Sequence, residues 1–105
     1  MKSVFDRFPD VKVIFRFNGT RKTYVCDGYR PDHLVKEDYL TCGVHHYDGA
    51  ERIMPDSSVT GTITFIAPEH YPHCLWIGKI INIHEGARVV GTAEITEILN
   101  PILSI

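Results

Sequence analysis

Two runs rich in β-branched residues, Leu75–Ile83 and Val89–Leu99, stand on either side of the short polar link His84-Glu85-Gly86-Ala87-Arg88. Runs of this kind joined by a short glycine-containing link read as a β-hairpin. The link presents a carboxylate at Glu85, a flexible backbone at Gly86 and a guanidinium at Arg88. Loop tips held by rigid strands are where binding groups concentrate, so these three residues are candidate contacts.

The preceding sequence is also β-patterned. In Val11–Phe17 the residues Val11, Val13, Phe15 and Phe17 share one face, while Lys12 and Arg16 take the other. Asn18-Gly19 supplies a turn, Thr23–Cys26 a short second strand, and Asp27–Asp32 an ordered turn rich in glycine and proline. Within His33–Tyr47 the segments Leu34-Val35 and Tyr39–Val44 are strand-like. Turns follow at Asp48–Arg52 and Met54–Ser58. Val59–Ala67 then alternates, with Val59, Ile63, Phe65 and Ala67 facing inward and three threonines facing outward. Pro68 and Pro72 bracket a loop before the hairpin. No segment carries a sustained helical period. The expectation is an all-β chain in which residues 1–105 form one domain, a small closed antiparallel barrel of about six strands. Closure is favoured over a sandwich because it removes exposed edges.

Hydrophobic residues make up 44 % of the chain and the formal net charge is -2. A globular core is therefore expected, without a global field that draws nucleic acid or acidic membrane. Arg16, Arg21 and Lys22 lie close enough in sequence to form a local basic patch. The three cysteines, Cys26, Cys42 and Cys74, include no Cys-x-x-Cys pair, which argues against a disulfide framework and fits a reducing compartment. No apolar segment of signal-peptide or membrane-span length is present, so a cytoplasmic protein is expected.

The search for catalytic chemistry gives little. There is no phosphate-binding Gly-rich loop before Lys-Ser/Thr and no dinucleotide fingerprint, so no nucleotide is expected. His45 and His46 point to opposite faces of a strand and cannot share an ion; His70-x-x-His73 has no completing ligand. These histidines read as exposed loop residues. Cys74 lies near His70 and His73, but nothing in the sequence lowers its pKa or fixes a base beside it, and all three cysteines read as small buried hydrophobes. No enzyme, cofactor or metal is expected.

Four landmarks in order give the chain a relative. Gly28-Tyr29-Arg30-Pro31, Met54-Pro55-Asp56, the threonine-bearing strand that ends before Pro68, and Glu85-Gly86-Ala87-Arg88-Val89-Val90-Gly91 resemble the C-terminal (third) β-barrel domain of bacterial elongation factor Tu over about residues 10–99. The resemblance implies a six-stranded antiparallel barrel whose loops contact the T-stem of aminoacyl-tRNA. It places tRNA-facing positions on Arg30, Thr41, Glu85 and Gly86, and puts Asp32 where the family has glutamine. Ala87 replaces the family's second turn glycine, His84 replaces an arginine, and the loop Asn18–Thr23 is shorter. Neither the GTPase domain nor the second barrel of that factor falls within this sequence. The implied function is a non-enzymatic module that binds tRNA or a translation-related protein through Arg30, Asp32, Thr41, Glu85, Gly86 and Arg88. The alternative, from a different class, is an immunity or antitoxin protein that neutralises a partner toxin by direct binding.

Overall fold

Alternating side chains along each strand build this molecule, and a computed structural model describes its residues 5–105. Among the described residues eight strands form: β1 (Val11–Phe17), β2 (Val25–Cys26), β3 (Asp32–Lys36), β4 (Tyr39–Tyr47), β5 (Arg52–Ile53), β6 (Ser58–Phe65), β7 (Ile80–Glu85) and β8 (Arg88–Ile98). Six of them close a barrel in the order β1-β6-β4-β3-β7-β8, with β8 returning to β1. Every neighbouring pair in it is antiparallel. The expected barrel is therefore present, and β2 and β5 form a separate two-stranded ribbon beside it.

Val11, Val13, Phe15 and Phe17 all turn into the core, as their spacing requires, and meet Ile63, Phe65, Ile81, Ile83, Val90 and Ile95 there. Gly61 leaves no space for a side chain between β6 and β4. A Cβ at this position would stand 2.0 Å from the His46 carbonyl oxygen.

The barrel is sealed beside β1 by Asp10, which is fully buried. Its carboxylate accepts two hydrogen bonds from Arg7 (2.8 and 2.9 Å), one from the Phe65 amide (2.7 Å) and one from Asn100 Nδ2 (2.9 Å). A buried charge satisfied on both oxygens by a guanidinium and two further donors holds without the penalty of an unpaired ion.

Several sequence expectations are corrected. Leu75–Lys79 is not strand. Gly78 takes φ +94, and the Lys79 amide donates back to the Trp76 carbonyl, which makes a turn. The Lys79 ammonium then fixes that turn by donating to the carbonyls of Val35 (2.6 Å) and Cys74 (2.7 Å). The second strand shrinks to Val25–Cys26, β6 stops at Phe65 before Ala67, and Thr64, expected to face outward, is buried. Two short 3-10 turns, Pro68–His70 and Pro101–Leu103, complete the chain.

A candidate binding rim

One end of the barrel gathers most of the residues singled out by the sequence. The register pairs Asp32 of β3 with His84 of β7, and Glu85 of β7 with Arg88 of β8. The link between β7 and β8 is thus a two-residue loop, Gly86-Ala87. Gly86 has φ +61 and Ala87 has no positive φ, the pattern of a type II′ hairpin turn. Such a turn needs a glycine only at its first position, so the alanine at 87 is accommodated without strain.

The loop after β1 folds back onto this tip. Asn18 anchors it as a donor: its backbone amide and Nδ2 donate to the carbonyls of Val90 (3.0 Å) and Val89 (2.9 Å). Arg21 then reaches the hairpin, where its Nε donates to Glu85 Oε2 at 2.7 Å. Arg88 donates to Oε1 at 2.9 Å, and the Tyr29 hydroxyl donates to Oε2. The Arg21 guanidinium also lies over the Tyr29 ring at 5.2 Å from its centre. Burial pushes the Glu85 carboxyl upward, but the donors Tyr29, Arg88 and Arg21 together outweigh it and hold the group below the ordinary carboxylate range. Burial, reinforced by the bond to Glu85, raises the Tyr29 phenol well above its usual value.

Arg30, exposed, packs its guanidinium over the Phe5 ring at 4.9 Å. Asp32 is half-buried at the start of β3, and Gly86 and Arg88 are exposed at the tip. Asp32, Glu85, Gly86 and Arg88 therefore share one rim, while the Arg30 guanidinium, two residues before β3, turns to Phe5. Thr41 does not join them. It lies inside the barrel, 6 % exposed, with its hydroxyl donating to the Tyr71 hydroxyl at 3.0 Å. Arg21, held on the same Glu85 carboxylate, brings a second guanidinium to the tip beside Arg88, on a chain whose net charge is -2.

The structure also brings together residues that the sequence reading left apart. Tyr29 lies within the Gly28–Pro31 landmark and Arg21 within the Asn18–Thr23 loop, yet only the fold shows that both converge on Glu85. His45, read as an exposed loop residue, is fully buried and contacts the equally buried His33. Their inward positions on β3 and β4 were the available signal. The cysteines also differ from expectation: Cys26 is exposed, and Cys42 and Cys74 are half-buried, with burial pushing both of the latter thiols up. Among the described residues no group of three or more His, Cys, Asp or Glu side chains is placed to hold a metal, and no helix is long and apolar enough to cross a membrane. No protein-family model matches the chain.

Proposed function

We propose that the chain is a non-enzymatic binding module that engages RNA of the tRNA acceptor and T-stem type through the rim around the β7–β8 hairpin. The observation that carries this reading is the gathering of Arg88, the exposed Gly86 backbone and Arg21, held through Glu85, at the β7–β8 hairpin tip. Guanidiniums and free backbone amides are the groups that hold phosphate and ribose oxygens when duplex RNA is recognised by shape. The likeness of Gly28–Pro31 and Glu85–Gly91 to the third domain of elongation factor Tu supports the same assignment. Glu85 takes a different part from the one implied by that likeness. Its carboxylate is occupied by Arg21, Arg88 and Tyr29, so it orders the rim and leaves ligand contact to the cations.

Fluorescence anisotropy with aminoacyl-tRNA, read across a salt series, tests the proposal. Binding at low salt should weaken steeply as salt rises. Arg30→Ala and Arg88→Ala should each lower affinity and reduce the logarithmic salt slope by about 1, the signature of a lost phosphate contact. No binding at low salt overturns the reading.

A second reading rests on a separate observation. Trp76, Ile77 and Ile105 are 45 %, 69 % and 76 % exposed and line one shallow depression with Ile98 and Pro101. An apolar patch of this kind is the mark of a protein interface, which favours a blocking role against a toxin. Complexes made there would tolerate Arg30→Ala and salt, and would be weakened by Ile77→Asp.

A further inference from the structure

The least expected polar feature lies inside the barrel. His33 on β3 and His45 on β4 are fully buried, with Nε2 to Nε2 only 2.7 Å apart. Their outer nitrogens are also engaged: His33 Nδ1 lies 3.2 Å from the Thr41 carbonyl oxygen, and His45 Nδ1 lies 2.9 Å from the Tyr47 hydroxyl. These partners fix the protons. A carbonyl only accepts, so His33 carries its proton on Nδ1 and, when neutral, offers a lone pair at Nε2. His45 must then donate from Nε2 and accept at Nδ1 from the Tyr47 hydroxyl. One directed chain results, from Tyr47 through His45 and His33 to Thr41.

This chain has no room for a second proton between the rings. A doubly charged pair would point two N–H groups at one another across a single hydrogen-bond distance. A singly charged pair would sit among aromatic and aliphatic groups. Phe15 of β1 stacks on His45 at 4.2 Å, Tyr29 meets it edge-on at 5.5 Å, and Phe65 of β6 meets His33 edge-on at 5.5 Å. The titratable groups acting on the pair supply no anion. His84 of β7 disfavours charge on His33, as His46 of β4 does on His45. His84 has both ring nitrogens buried without a hydrogen-bond partner. Tyr29 and Tyr47 stay protonated because burial raises both phenols; of the carboxylates beyond them, Glu85 is spent on Tyr29 and two arginines, and Asp27 on the Tyr47 amide and His46. Burial, with the neighbouring His84 adding to it against a weaker opposing bond to Thr41, brings His33 down to about 4, and burial together with His33 and His46 lowers His45 well below its ordinary value.

We propose that the His33–His45 pair is an acid-sensitive staple between β3 and β4, intact only while both rings are neutral, so that acidification releases the strand that carries Asp32 to the rim. The sign follows from linkage. Between the ordinary histidine value and the lowered folded one, the unfolded chain binds more protons, so stability is complete above about pH 6.5 and declines toward pH 4.

Long-range proton–nitrogen NMR spectra of the imidazoles, recorded on the whole chain from pH 7.5 to 4, test the proposal. The expected result is the Nδ1–H tautomer at His33 and the Nε2–H tautomer at His45. Neither ring should titrate while the fold persists, and the unfolding equilibrium constant should rise by up to about tenfold per pH unit for each histidine. Titration of either ring near 6.5 with the fold intact overturns it. The double variant His33→Leu with His45→Phe should lose the fall in urea midpoint between pH 6.5 and 5. A fall as steep as that of the parent chain also overturns the proposal, and if the variant does not fold, the spectra of the parent decide alone.

Discussion

Glu85 shows how a single side chain changes meaning once its partners are known. As a hairpin-tip carboxylate in the sequence it is a candidate ligand contact. In the fold it accepts from Arg21, Arg88 and Tyr29, and thereby neutralises one of the two guanidiniums beside it. Glu85→Gln keeps the shape of the side chain and removes the charge. If the rim cations hold phosphate, this variant should bind tRNA more tightly than the parent at low salt, with a salt slope steeper by about 1. Anisotropy titrations at several salt concentrations check this, and weaker binding by Glu85→Gln would instead make the carboxylate itself a contact. Asp10 and His45 carry a related lesson. Polar type alone gives no indication that either is fully buried, because burial depends on donors contributed by Arg7, Asn100 and Tyr47, whose arrival only the closed barrel determines.

At the level of elements, the strands were legible wherever one face is wet and the other packed. β1 follows its alternation to the residue, and the hairpin falls where its glycine places it. Leu75–Lys79 misled because its residues are as apolar as a strand's. Gly78 and the two carbonyls held by the Lys79 ammonium turn the backbone instead, leaving Trp76 and Ile77 exposed. The seam between β4 and β6 depends on an absence of side chain. With the His46 carbonyl 2.0 Å from where a Cβ would stand at Gly61, and Phe15 at 2.9 Å, an alanine there meets backbone that cannot swing aside. Gly61→Ala should destabilise the chain by about 3 kcal/mol, the upper range for overpacking a core. Urea unfolding followed through Trp76 fluorescence measures it, and a loss below about 1 kcal/mol would mean that the seam is looser than described.

On the scale of the whole molecule, periodicity and breakers were enough to predict a closed antiparallel barrel, because closure is the usual way for a small single sheet to leave no edge open. The site was only partly legible. Asp32, Glu85, Gly86 and Arg88 come together, since β3, β7 and β8 are neighbours in the barrel, whereas Arg30 precedes β3 and lays its guanidinium over Phe5. Thr41 falls inside, because a one-residue step along a strand reverses the face and position 41 shares that of His45 and Tyr47. The barrel thus presents two surfaces of different chemistry, a rim of arginines and an apolar depression around Trp76 and Ile77. Amide chemical-shift mapping of the whole chain with aminoacyl-tRNA at low salt distinguishes them most directly. The rim account predicts shifts concentrated at Arg21, Lys22, Arg30 and Gly86 through Arg88, fading as salt is raised. Shifts confined to Trp76, Ile77 and Ile105, or no shifts at low salt, would contradict it.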